Sequence, residues 1–203
     1  MRYFMLNKPK GYLSAARDER CKTVMELFSK TDREGLFHVG RLDKDTEGLL
    51  VFTDDGKLCF DLLNPKNEIP KTYICYVTGE LDFELVKEVS GGVKIYENSE
   101  KLTAPAKIEL LESKTLYEIR EYLSGRDIAF SRNKPSQKVS LVRVTLTEGK
   151  KHEVKRLMRY MGNRVLYLKR LAFASLALDE NLPLGAYRHL TNAEIEALKA
   201  WQK

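Results

Sequence analysis

The strongest constraint on the fold is a short apolar run, Gly-Leu-Leu-Val-Phe-Thr at positions 48–53, fed by a polar loop and closed by Asp54-Asp55-Gly56. A run of this length between turn signals reads as a buried strand rather than a helix. Other segments fall around it. Residues 3–7 read as a strand ending in the turn Lys8-Pro9-Lys10-Gly11. Residues 23–29 carry Val24, Leu27 and Phe28 at helical spacing. Residues 35–42 lead into a loop, and residues 57–63 read as a helix stopped by Asn64-Pro65.

In the stretch 71–79, alternation places Tyr73, Cys75 and Val77 on one face of a strand and Ile74 and Tyr76 on the other. Residues 83–89 predict a helix ended by Gly91-Gly92. Strands are expected at 93–96, 106–111, 116–121 and 138–146, and an exposed loop at 125–137. Residues 152–161 form an amphipathic helix, with Val154, Leu157, Met158 and Met161 on one face and Lys151, Lys155 and Arg159 on another. Thr191-Asn192-Ala193-Glu194 matches a capping box opening the last helix. Together these predict an α+β fold, a mixed and mainly antiparallel central sheet flanked by helices.

Charge is segregated. Positions 132–170 hold twelve Lys and Arg against two acids, Glu148 and Glu153, in a 203-residue chain of net charge +6. A basic region of this kind suits a polyanion, since each neutralised phosphate releases counterions, although a solvated basic surface has the same composition. No run of 18 apolar residues is present, so no membrane span is expected. Cys21, Cys59 and Cys75 are odd in number and form no CxxC pair, which reads as free thiols in a reducing, cytoplasmic setting with no zinc site.

The segment Gly40-Arg41-Leu42-Asp43-Lys44-Asp45-Thr46-Glu47-Gly48 puts a carboxylate in a glycine-bounded loop that feeds the buried strand. A loop so anchored suits a site residue, and the flanking cations Arg41 and Lys44 favour the ionised acid. A solvated surface turn would use the same residues. GRLDKDTEGLLVFTDDG resembles the signature of bacterial ribosomal RNA pseudouridine synthases of the RsuA type. NKPKGYLS (7–14), KTYICYV (71–77), EGKKHEVKRLM (148–158), LKRLAF (168–173) and GAYRHLTNAEIEAL (185–198) resemble that family in the same order. Nearly the whole chain is covered, apart from about 119–137.

The resemblance implies the pseudouridine synthase catalytic fold in two lobes, as one catalytic domain over residues 1–203. It implies isomerisation of a uridine in ribosomal RNA with no cofactor and no metal. Asp43 is then the nucleophile, attacking C1′ of the ribose or C6 of the base. Tyr73 stacks on the flipped uracil, its hydroxyl helping to move the C5 proton. Lys155 pairs with Asp43, with Arg156 the alternative if the register slips by one. Contacts to RNA are implied at Arg41, Lys44, Thr46, Lys71, Lys151, His152, Arg156 and Arg159. Partners are ribosomal RNA or ribosomal assembly intermediates, met by a monomer.

Three departures carry further expectations. Many relatives carry an N-terminal S4 domain, whereas this chain begins almost at the catalytic domain. That resembles the family's E-type synthases, which act on large-subunit RNA, and favours a 23S rRNA target over one in the small subunit. Glu153 stands where relatives usually have Gln, and is expected to point away from RNA or pair with Lys151 or Arg156. Residues 119–137 read as a loop insertion whose cations, Arg126, Arg132, Lys134 and Lys138, contact RNA. Two other readings compete: a non-catalytic RNA-binding or ribosome-assembly protein on the same fold, and a nucleotide hydrolase using Asp43 and Asp45 as metal ligands.

Overall fold

The computed structural model describes residues 1–97, 99–123 and 134–202. The chain order is β1 (Tyr3–Lys8), β2 (Phe37–Val39), β3 (Glu47–Thr53), α1 (Gly56–Leu63), β4 (Lys71–Thr78), α2 (Phe83–Gly91) and β5 (Lys107–Thr115). It continues through α3 (Leu116–Ile119), β6 (Lys138–Leu146), α4 (Glu153–Tyr160), β7 (Val165–Phe173), β8 (Leu176–Ala177), β9 (Tyr187–His189) and α5 (Asn192–Lys199). Two compact units result, one of Met1–Lys71 with Lys169–Lys203, the other of Thr72–Leu168.

In the first unit β3 lies between neighbours on both sides. It pairs antiparallel with β1 from Tyr3↔Thr53 to Lys8↔Gly48 and parallel with the end of β7 through Glu47↔Lys169 and Gly48↔Arg170. β9 extends the sheet beyond β1, and β2 adds to β3. All seven residues of β3 are buried. Leu49 and Val51 enter a core with Met5, Leu58, Leu62, Phe173 and Leu198. Phe52 turns to the opposite face, where Phe28 lies 4.7 Å from it and stacks on Tyr187 at 4.2 Å. Both faces are therefore covered, which is why the run is apolar without alternation.

Gly48 has no alternative at its position. Its φ is +104°, and a Cβ there would lie 2.2 Å from the Arg170 carbonyl oxygen and 2.8 Å from the Arg170 nitrogen. The parallel neighbour approaches too closely for any side chain.

In the second unit the strand order is β5-β6-β4-β7. β5 and β6 pair antiparallel from Lys107↔Thr145 to Thr115↔Lys138, with an irregularity between Leu110 and Glu112. An aromatic-aliphatic cluster of Tyr76, Leu116, Ile119, Leu123, Val139 and Tyr167 fills the space beside them. α4 buries Val154, Leu157 and Met158 and turns its cations outward, as the sequence period predicts.

The α+β class and the mainly antiparallel pairing stand as expected. Several local expectations do not. Residues 93–96 form no strand: Val93 N–H donates to the Thr103 hydroxyl at 3.1 Å and Thr103 N–H to the Val93 carbonyl at 2.9 Å, closing a loop. Residues 116–121 are not a strand either. Thr115 and Glu118 form a capping box that starts α3, while β5 runs on to Thr115. The helix expected at 23–29 is a 3-10 turn over Val24–Leu27, and the region read as a lead-in loop contains β2. Of the proposed insertion, residues 124–133 lie outside the described residues, Arg126 and Arg132 among them. Lys134 is exposed, and Lys138 pairs with Glu80. No helix among the described residues is long and apolar enough to cross a membrane.

Candidate active site

The Asp43 loop is fixed from beneath by Lys8, the last residue of β1. The Lys8 side chain is fully buried. Its ammonium donates to the carbonyl oxygens of Thr46 at 2.8 Å, Asp43 at 3.1 Å and Pro9 at 3.1 Å, with Lys44 at 3.4 Å. A buried ammonium is tolerable only with its donors satisfied, and here the loop's own carbonyls satisfy them. Ser14 holds the other side: its hydroxyl donates to the Leu42 carbonyl at 2.9 Å and accepts from Leu42 N–H at 3.1 Å. Gly11 N–H donates to the Lys44 carbonyl at 2.7 Å, and Thr46 N–H to the Asp43 carbonyl at 3.1 Å. Backbone contacts therefore fix the loop and leave the Asp43 side chain half-buried at its crest.

The other sequence-predicted residues of this unit divide by exposure. Arg41 and Lys44 are exposed, and the Lys44 ammonium lies 3.2 Å from the Cys21 thiol. Thr46 is 2% exposed, and its hydroxyl has no hydrogen-bond partner among the described residues. Lys71 is half-buried, donates to the Ile69 carbonyl at 2.7 Å and sits 5.7 Å from the Phe173 ring.

Tyr73 and Lys155 belong to the second unit. Tyr73 is a β4 residue, 9% exposed, on the same strand as buried Cys75 and Val77. The neighbouring Thr72 ties β4 to β6 through a 3.1 Å hydroxyl contact with Thr145. His152 takes a left-handed conformation (φ 57°) that turns the chain into α4. From α4, His152, Lys155, Arg156 and Arg159 line one cavity of about 530 Å³, and Tyr96, Glu97 and Ser99 line its other side. The structure thus gathers four of the predicted basic residues around one space, while Lys151 is exposed beside it.

Tyr96 organises that cavity, and sequence reasoning missed it. The Arg156 guanidinium stacks 4.6 Å from the Tyr96 ring and donates to the Ile95 carbonyl at 3.1 Å. The Tyr96 hydroxyl donates to the Lys151 carbonyl at 3.2 Å. Burial pushes this phenol up to about 12, so it keeps its proton at neutral pH. Its residue type gave no signal inside a stretch read as a strand. Lys8 was missed for another reason: its partners are carbonyls, which a sequence does not display. A lysine closing an otherwise apolar strand was the one available hint.

Of the two expectations for Glu153, pointing away from RNA fits its burial, and a pairing with Lys151 or Arg156 is not seen among the described residues. Glu153 is 4% exposed and accepts from the Lys150 N–H at 2.9 Å. Its other partner is the carboxyl of Glu148.

Taken by itself, the first unit presents a half-buried carboxylate on a clamped loop, which suits covalent chemistry, and the second presents a basic helix and an aromatic-walled cavity, which suit a polyanion. Comparison with known proteins agrees: residues 2–160 match the family described as RNA pseudouridylate synthase. The chain belongs to that family of isomerases. It is similar to ribosomal large subunit pseudouridine synthase B of Bacillus subtilis, at 36% identity over 98% of this chain and 71% of that one. It is also similar to ribosomal small subunit pseudouridine synthase A of Yersinia pestis, at 33% identity over 98% of this chain and 73% of that one. A crystal structure of a pseudouridylate synthase superposes with a TM-score of 0.78 at 31% identity, covering 97% of this chain and 73% of the other. The bacterial ribosomal type expected from the GRLD segment is therefore borne out.

Proposed function

We propose that the protein isomerises a uridine of ribosomal RNA to pseudouridine, with Asp43 as nucleophile. The observation that carries this reading is the clamp on the Asp43 loop, which presents one carboxylate at a fixed position. The carboxylate adds to the uridine at C1′ or C6. The C1′–N1 bond breaks, the uracil turns, and C5 bonds to C1′. The C5 proton leaves, N1 regains a proton, and the carboxylate departs unchanged, so the reaction needs no redox partner. Tyr73 provides a face for the extruded uracil, and Lys155 favours the charged carboxylate. Residues 1–203 act as one catalytic domain, as a monomer.

The basic face of α4 and the cavity beside Tyr96 hold RNA backbone, with Arg159, Lys151 and His152 reaching phosphates. The two relatives bear names of opposite ribosomal subunits. RNA of the large subunit is the target proposed first, on the similarity to the large-subunit synthase of Bacillus subtilis, which shares the higher identity of the two.

Two measurements test the reading. Pseudouridines are mapped by chemical adduct and primer extension in ribosomal RNA from cells with and without the gene, and one site should vanish without it. Asp43→Asn should abolish conversion, at least about 10⁴-fold as for loss of a covalent nucleophile, while RNA affinity stays within about twofold. Robust turnover by Asp43→Asn would remove the nucleophile from its role. An unchanged map would remove the ribosomal target.

A further inference from the structure

Two carboxyl groups share the turn that starts α4. Glu153 Oε2 accepts the Lys150 N–H at 2.9 Å. Glu153 Oε1 is buried and meets no N–H or O–H donor among the described residues. The neighbouring group that raises the Glu153 carboxyl by a hydrogen bond is the Glu148 carboxyl. Two carboxylate oxygens both accept, so the contact is a hydrogen bond only if one of them carries a proton.

The surroundings decide which one. Glu148 accepts from Ala104 N–H at 2.8 Å and pairs with the Lys150 ammonium at 2.9 Å, both of which favour its charged form. Glu153 has one backbone donor and almost no water. The loop packed against it brings Tyr96, a neutral phenol; α4 brings Arg156, already committed to the Tyr96 ring and the Ile95 carbonyl; the turn brings Lys150.

We propose that Glu153 is a neutral, proton-bearing positioning residue, donating to Glu148 and so locking the turn from which Lys155 and Arg156 are aimed. Burial, then the hydrogen bond and charge of Glu148, push Glu153 up to about 8. Burial works against charge on Glu148 too, but the donors from Glu153, Lys150 and Ala104 outweigh it and hold Glu148 below its ordinary value. Loss of the shared proton sets two negative charges side by side in a buried turn and loosens the start of α4.

The sign of the stability effect follows. Below the ordinary carboxylate value of 4.5 both folded and unfolded chains hold the Glu153 proton. Between 4.5 and about 8 only the folded chain holds it, so stability falls as pH rises across that window and levels off above it. Glu153→Gln keeps the hydrogen bond through an amide N–H that cannot titrate there.

The role of Lys155 is part of the proposed function, so the test reads protonation and catalysis separately. Denaturant unfolding of the full chain and infrared spectra of its carboxyl groups need no RNA. The wild type should lose stability as pH rises from 4.5 to about 8 and show a protonated-carboxyl band at neutral pH. Glu153→Gln should lose both signatures. On a converted RNA, kcat/KM should decline in the wild type from about pH 8 upward, while Glu153→Gln matches it at neutral pH and stays flat about one unit further. Absence of the infrared band, or a slope that persists in Glu153→Gln, overturns the shared proton. An identical alkaline decline in both proteins overturns the positioning role. Failure to convert any RNA would count against the proposed function and leave the first two readouts to decide the protonation.

Discussion

Lys8 and Gly48 show how single residues secure the site from below. Lys8 gathers carbonyls of the Asp43 loop, and Gly48 lets β7 approach where that loop becomes β3. Gly48→Ala would drive a Cβ to 2.2 Å from a backbone oxygen, so two strands must part. Urea unfolding should show a loss of about 3 kcal/mol or more, the range of severe backbone and packing clashes. The order of charge, glycine and apolar run marked the Asp43 loop as anchored, and the resemblance of GRLDKDTEGLLVFTDDG to a family signature singled out Asp43 within it. Lys8 and Tyr96 stood out in neither way, because each acts on main-chain oxygens or on a ring brought close only by the fold.

Among the elements, legibility followed how much of the cause is local. β3 reads directly, since burial on both faces leaves only one kind of side chain suitable. α4 reads from its period. Residues 116–119 misled because Leu-Tyr-Glu-Ile has strand-like composition, and the Thr115/Glu118 capping box outweighs it. α5 shows the opposite case, a capping box that predicts correctly and is then reinforced. Arg188 holds Glu194 with two bonds of 2.9 and 2.8 Å and Asp179 with one of 2.8 Å. The Arg188 hydrogen bonds, aided by Thr191, hold Glu194 down at about 2. A lowered carboxylate stabilises the fold above its unfolded value of 4.5, and that contribution is lost as pH falls toward 2. Unfolding curves taken down that range should steepen in the wild type and flatten in Arg188→Met, which also starts less stable at neutral pH.

At the scale of the molecule, charge is distributed for a task. Twelve Lys and Arg fall within positions 132–170 of a chain whose net charge is only +6. That asymmetry was legible at once, but its geometry was not, because folding decides which cations face a common space. Arg159 lines the cavity and Lys151 lies exposed beside it. Neutralising both, as Lys151→Gln with Arg159→Gln, should weaken RNA binding at every sequence alike. It should lower the slope of log affinity against log salt by about 1.4 to 1.8 for two lost phosphate contacts. Filter binding across a salt series measures this, and an unchanged slope would place the RNA elsewhere. The buried ammonium of Lys8 has one more consequence. Acetyl donors and other amine-modifying chemistry cannot meet it while the loop is closed. Its modification therefore requires the support of the Asp43 loop to come apart first, so a chain acetylated at Lys8 has already lost the closed form of that loop.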